Sequence, residues 1–290
     1  KCHQHIALRP GTDAALAMAM GHVILKEFHV AGKSDYFDNY CRQYTDMPNL
    51  VCLAEKDGAY VPDRYVRAAD LVGALGEANN PDWKTLVIDE TSDALTVPVG
   101  SIGFRWGQEK DGNATADKGK WNLKEETSDG RNIKPRLSLV QKHDAVVEAA
   151  FPYFGNIEHE HFNSTSHSGV LKRRVPVRKI QTANGEMLVA TVYDLYVANY
   201  GVDQGLGGDN VASSYDDDVP YTPAWQEKIT GVPRDQVTQV AREFAQNAHD
   251  THGKSMVIIG AAMNHWYHMD MNYRSIMNML IMCGCIGQSG

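Results

Sequence analysis

Apolar and polar positions alternate along this chain in two different rhythms, and the rhythm changes several times. The opening "HIALRP" is a short apolar run that ends at Pro10-Gly11 and predicts a strand followed by a tight turn. Next comes "AALAMAMGHVILKEFH", Ala14 to His29, which predicts a helix apolar on most of its sides and therefore buried. "SDYFDNYCRQYT" has amphipathic helical spacing, with Ser34 as its capping residue. "NLVCLA" and "TLVIDE" predict short strands, and "RYVRAADLVGAL" predicts a helix. From about Glu90 to His167 helical periodicity disappears into Gly, Asp, Lys and Asn, which predicts loops and short hairpins. Order returns with "VPVRKIQT" and "EMLVATV", two alternating runs flanking the Ala183-Asn184-Gly185 hairpin signal. "TVYDLYVANYG" then predicts a helix. In the last third, Val237, Val240, Ala241 and Phe244 fall on one helical face after Pro233. "SMVIIGAA" predicts a buried strand, "MNHWYHMD" a loop, and "MNYRSIMNMLIMCGCIG" an apolar helix that stops at glycines.

Strand, turn and helix recur at both ends. That alternation predicts an α/β fold with a largely parallel sheet flanked by helices and an irregular loop and hairpin excursion in the middle. The boundaries expected are an α/β cofactor-binding segment over 1–89, an insertion over 90–190, and a second α/β cofactor-binding segment over 191–290. The start, "KCHQHIALRPG", reads as a strand in progress and the end, "GQSG", has no tail. Both suggest an interior fragment of a longer polypeptide.

Composition narrows the possibilities. With 43% hydrophobic and 22% charged residues over 290 positions, the chain can bury a substantial core. A net charge of -8 argues against nucleic acid as a partner, because phosphate binding needs a basic face. No apolar run is long enough for a direct membrane span. Five scattered cysteines read as free thiols.

Candidate chemistry lies where strands enter helices, since ligands of α/β sheets bind there. In the turn Arg9–Asp13, Gly11 permits close backbone approach, and the helix start offers free N–H groups. Asp13 would repel a phosphate but suits the N1–H and N2–H₂ donors of a guanine. The alternative is that Thr12 or Asp13 simply caps the helix. In "GAAMNHWYHMDMNYR", His265, His268 and Asp270 are possible metal ligands. However, no fourth ligand is evident, and Trp266 and Tyr267 would crowd a solvated ion, so no metal ligand is assigned. Polar groups satisfied within a strand-to-helix turn are the plainer alternative. Gly205, Gly207 and Gly208 follow a helix instead of a strand, so they do not make a dinucleotide fingerprint.

Longer stretches carry a resemblance. "RPGTDAALAMAMGHVILKE", "YTPAWQEKITGVPRDQVTQVAREFA" and "CGCIGQSG" follow in order the pattern of the molybdopterin oxidoreductase (dimethyl sulfoxide reductase) family. "YTDMPNLV", "GSIGFRWG", "KGKWNL", "AAFPYFG", "TVYDLYVANYG" and above all "NHWYHMDMNYR" look like its respiratory nitrate reductase branch, the catalytic alpha subunits. The resemblance runs from about Ile6 to Gly290. It implies a molybdenum enzyme of nitrate respiration, reducing nitrate to nitrite by oxygen-atom transfer. It further implies a bis(molybdopterin guanine dinucleotide) cofactor and a 4Fe-4S cluster whose ligands lie outside these residues. The implied partners are an iron-sulfur beta subunit and a membrane haem subunit, which place the enzyme at the cytoplasmic face of the inner membrane. By the same resemblance Gly11, Thr12 and Asp13 match the loop that holds a guanosine end of the cofactor. Asn264 and His265 match the loop near pterin and molybdenum, and Gly287, Gln288 and Ser289 match the start of a glycine-rich turn against the cofactor. His265, an imidazole, is also the candidate catalytic donor of a hydrogen bond or proton. The alternatives are a formate or chlorate enzyme of the same family, or a non-catalytic nucleotide-binding module.

Overall fold

A computed structural model describes residues 3–78, 80–98, 125–127, 129–153 and 170–288. The fold is mixed α/β and divides into two compact units. One comprises residues 1–37, 148–174 and 196–290, the other 38–147 and 175–195. Most of the irregular stretch lies outside the described residues.

The second unit is built around strands β1 (Leu50–Lys56), β2 (Ala59–Tyr65) and β7 (Gly185–Thr191). With β5 (Ala145–Pro152) and β6 (Val170–Thr182) they form a closed barrel in the order β1-β2-β5-β6-β7. A two-stranded sheet, β3 (Val87–Ile88) with β4 (Leu95–Thr96), accompanies it. The core holds Leu50, Val66, Leu86, Ile88, Leu139 and Val189.

The β6–β7 hairpin turns at Ala183-Asn184, with Thr182 paired to Gly185 and Gly185 at φ 114°. The sequence predicted this turn. It missed the β1–β2 hairpin, although Asp57-Gly58 is a strong turn signal. Both residues take positive φ, 52° and 74°, so their backbone twist matches that of the flanking strands. The helix expected over "RYVRAADLVGAL" is therefore replaced. Arg64 and Tyr65 end β2, and only short 3₁₀ turns follow. Gly73, Ala74 and Leu75 all have positive φ, which no right-handed helix accommodates.

The largely parallel sheet is not observed. β1 pairs antiparallel with β2 and β7, and β6 pairs antiparallel with β7. Two-residue turns leave no length for the crossover that parallel neighbours require. The two segments expected to supply parallel strands, "HIALRP" and "SMVIIGAA", enter no named strand among the described residues. The second is not buried either, with Met256 75% and Ile258 84% exposed. An apolar run specifies a strand only where a neighbouring backbone offers its hydrogen bonds.

A buried carboxylate fixes where helix α3 (Val192–Asn199) begins. Asp194 accepts from Thr191 Oγ1 at 2.9 Å, Ser138 Oγ at 2.6 Å and the Leu139 N–H at 2.7 Å, tying the 138–140 segment to the helix start. Burial pushes its carboxyl up to about 6.

In the first unit α1 (Asp13–Ile24) runs on into a π-helical turn over Leu25–Val30. It packs against α4 (Pro223–Thr230), α5 (Arg234–Thr251) and α7 (Met269–Met282), as its nearly all-apolar surface dictates. Contacts at both ends show that α1 and α7 run parallel. The Ala14 N–H donates to Asn272 Oδ1, and past the far end of α1 His29 Nε2 bonds the Met282 carbonyl at 3.0 Å. Helix α2 (Asp35–Tyr44) starts as expected, with Ser34 Oγ accepting from the Phe37 N–H. Among the described residues no single helix is long and apolar enough to cross a membrane.

His22 is fully buried in α1, and its Nδ1 lies 2.8 Å from the Tyr200 carbonyl. The carbonyl can only accept, so Nδ1 carries the proton and Nε2 is left without a partner among the described residues. Burial lowers the imidazole to about 4. The unfolded chain therefore takes up this proton first, and stability present above pH 6.5 is lost as pH falls toward 4. The shift corresponds to roughly 3 kcal/mol over that window. His22→Gln is expected to flatten the decline, measured as unfolding midpoints at pH 7 and pH 4.5. An unchanged difference between the two midpoints would count against this assignment.

Candidate functional site

The turn before α1 is held from several sides. The Arg9 N–H donates to the Thr230 carbonyl at 2.9 Å, and the Arg9 guanidinium donates to Lys228 and Ile229 carbonyls at 2.7 and 3.0 Å. These are the free carbonyls at the end of α4, where a cation is favoured. Gly11 has φ 80°, and a Cβ placed there would meet the Trp266 indole at 3.4 Å. The positive backbone φ favours glycine, while at that distance the ring would make ordinary van der Waals contact with a side chain.

Neither candidate cap acts as one. Thr12 makes no side-chain cap; its hydroxyl donates back to the Arg9 carbonyl at 2.6 Å. Asp13 is the first residue of α1, and its carboxylate has no hydrogen bond or ion pair among the described residues. The capping acceptor comes from another helix, where Asn272 Oδ1 receives the Ala14 N–H at 3.0 Å. The half-buried Asp13 is thus left with acceptor oxygens uncommitted, beside the open end of α1.

The loop was expected over Met263–Asp270; a short helix, α6 (Ala261–Asn264), instead overlaps its start and the end of the expected strand, and α7 already begins at Met269. Asn264 Oδ1 accepts from the Tyr273 hydroxyl, so its NH₂ is the end left to donate. His265 follows α6 and is exposed. His268 precedes α7 with its ring 4.5 Å from that of Tyr267. Asp270, also exposed, lies in the first turn of α7, a position that favours a negative charge. Trp266 joins this loop to Gly11. The two loops singled out in the sequence, far apart along the chain, therefore meet at the parallel N-terminal ends of α1 and α7.

Gly287 and Gln288 lie elsewhere. Gly284, at φ 62°, ends α7, and its carbonyl accepts from the Tyr36 hydroxyl at 2.7 Å. Gln288 approaches Gly253 at the same end. Fourteen residues of α7, about 21 Å of helix, separate this end from Asn264 and His265. Ser289 lies outside the described residues.

Arg9, Trp266 and Asn272 shape the site, yet the sequence reading gave none of them a binding role. For Asn272 the available signal was a carboxamide in an otherwise strongly apolar helix.

Comparison with known proteins agrees in direction. The whole chain, residues 1–290, matches the Molybdopterin oxidoreductase family. It is 57% identical over its full length to the Respiratory nitrate reductase 2 alpha chain of Escherichia coli (strain K12), of which it covers 22%. It is 42% identical over 98% of its length to the Nitrate reductase alpha chain of Bacillus subtilis (strain 168), again covering 22%. It is 24% identical over its full length to the Perchlorate reductase subunit alpha of Dechloromonas aromatica (strain RCB), covering 23%. The chain thus spans between a fifth and a quarter of the length of these relatives.

Proposed function

Because this chain belongs to the molybdopterin oxidoreductase family, we propose that it is the part of a nitrate reductase alpha subunit that holds portions of a molybdenum bis(molybdopterin guanine dinucleotide) cofactor. The enzyme reduces nitrate to nitrite in anaerobic respiration. Its 4Fe-4S cluster takes ligands outside these residues. Its partners are the iron-sulfur beta subunit and the membrane haem subunit, at the cytoplasmic face of the inner membrane. Identities of 57% and 42% to nitrate reductase alpha chains support this over a chlorate-type enzyme; the perchlorate reductase relative, at 24%, stands level with a more distant nitrate reductase alpha subunit at 23%.

The observation that carries the reading is the meeting of Gly11 and Trp266, which puts the Gly11–Asp13 turn beside the Asn264–His265 loop. The residues present fit a guanine nucleotide. Gly11 lets a flat group approach the backbone, and Asp13 offers acceptors to the N1–H and N2–H₂ of guanine. Thr12 contributes backbone only, because its hydroxyl is spent on Arg9. Asn264 and His265 face the pterin and the substrate. Gly287, Gln288 and Ser289, a helix length away, hold a different part of the cofactor.

When bound, molybdenum supplies the oxygen-atom transfer and the two-electron change. The exposed His265 donates a hydrogen bond or a proton to an oxygen of nitrate. His265→Ala in the complete enzyme is expected to lower turnover about 10²-fold while molybdenum content holds. Unchanged turnover would remove the catalytic role; loss of molybdenum would make His265 a cofactor-binding residue. The decisive experiment is nitrate reduction by the complete protein with a reduced viologen donor, together with molybdenum analysis and GMP release on acid hydrolysis. A protein carrying neither molybdenum nor GMP would favour the non-catalytic nucleotide-binding module.

A further inference from the structure

Asn272 is 2% exposed on the buried side of α7, a polar side chain among Ile276, Met279 and Met282. A buried carboxamide is costly unless it is hydrogen-bonded. Its Oδ1 receives the Ala14 N–H at 3.0 Å across 258 residues of sequence. This is one of the N–H groups that a helix start cannot satisfy by itself, and the Ala15 N–H is taken by the Thr12 carbonyl at 3.1 Å. The Asn272 backbone is steadied in turn, as the Ser275 hydroxyl donates to its carbonyl at 2.8 Å.

The same helix follows directly on the His265–Trp266 loop. A single short side chain on α7 therefore sets where α1 begins relative to that loop. Trp266 supplies the second contact, against Gly11. We propose that Asn272 is a positioning residue for nucleotide binding. By capping α1 from outside, it fixes the Gly11–Asp13 turn against the Trp266 indole and leaves Thr12 and Asp13 free of capping duty. The group it serves is the guanine-nucleotide end of the cofactor, so the inference rests on the reading of that turn given above. Asn272 itself touches the turn's backbone, not the ligand.

The test uses the complete protein. Asn272→Leu keeps the branched outline and removes the acceptor, whereas Asn272→Asp keeps an acceptor oxygen for the Ala14 N–H. The readouts are GMP released per chain, molybdenum per chain, and nitrate KM and kcat normalised to molybdenum. N272L is expected to lose about tenfold in GMP and molybdenum occupancy, as expected for one lost buried hydrogen bond. The fraction that does load should keep a near-normal KM. N272D is expected to restore occupancy to within about twofold, a rescue that lost packing alone would not give. Wild-type occupancy in N272L overturns the proposal, and so does an N272D variant as empty as N272L. Should N272L fail to accumulate, Asn272→Ala takes its place with the same outcomes, because it also removes the acceptor and adds no bulk to the buried face of α7. A wild-type protein without GMP would instead sink the reading of the turn, which separates the two failures.

Discussion

Arg173→Met is expected to lower stability by about 4 kcal/mol, one of the two largest effects of any single substitution considered. Arg173 is 1% exposed, and among the described residues no carboxylate lies in its hydrogen-bonding shell. Among the described residues its guanidinium donates to carbonyls alone: Nε to Asn210 at 2.9 Å, Nη1 to Ala198 at 3.2 Å and Asn199 at 2.5 Å, and Nη2 to Pro220 at 3.1 Å. Two of these are the last carbonyls of α3, where the helix dipole attracts a cation. The Tyr221 ring, 5.5 Å from the guanidinium carbon, adds a π face. Burial lowers the guanidinium to about 10, yet it stays charged at neutral pH. Methionine fills the space but takes the guanidinium donors from the Asn199, Asn210 and Pro220 carbonyls; the Ala198 carbonyl keeps the Gly201 N–H. Lysine keeps the charge, but its donors radiate from a single nitrogen, so Arg173→Lys should recover only part of the loss. The check is the thermal unfolding midpoint, expected to fall on the order of 10 °C for Arg173→Met. A midpoint within about 2 °C of wild type would show that water or a shifted backbone replaces the guanidinium.

Gly253→Ala is the second large expected effect, again about 4 kcal/mol. Gly253 follows the left-handed His252 at the end of α5 and has φ 89° itself. A Cβ there would lie 2.3 Å from the Gly284 carbonyl oxygen and 2.6 Å from the Tyr36 hydroxyl. The first is backbone and cannot swing aside. Either the end of α5 unwinds or the turn after α7 moves, and in the second case the Tyr36 to Gly284 bond breaks. Gly287 and Gln288 continue that turn, so the variant should also lose the part of the cofactor assigned to them. Midpoint and molybdenum content of the complete protein are the measurements. Normal stability with normal molybdenum would mean that the turn tolerates displacement. A loss of stability alone would detach Gly287 and Gln288 from cofactor binding.

The sequence was most legible where the signal was local. α1, α2, α3, α5 and α7 follow from helical periodicity, and the β6–β7 hairpin follows from Ala183-Asn184-Gly185. The Asp57-Gly58 hairpin was equally local. It was outweighed by the helix-like spacing of "RYVRAADLVGAL", where Gly73 to Leu75 turn the backbone to positive φ. The candidate site was legible as two separate loops. Their meeting was not, because nothing in the spacing of Gly11 and Trp266 requires contact.

By itself the sequence determined helices α1, α2, α3, α5 and α7, the second hairpin and, through its motifs, the family. These rest on residue preferences within a few turns of chain or on extended matching stretches. Only the tertiary structure decided that the sheet pairs antiparallel, and that "HIALRP" and "SMVIIGAA" stay out of it. It also decided that Asn272, not Thr12 or Asp13, caps α1, and that Gly287 and Gln288 sit a helix length from His265. The reason is the same each time. A strand, a cap or a buried guanidinium is completed by backbone groups tens to hundreds of residues away, and local preference carries no information about which distant carbonyl or amide will arrive.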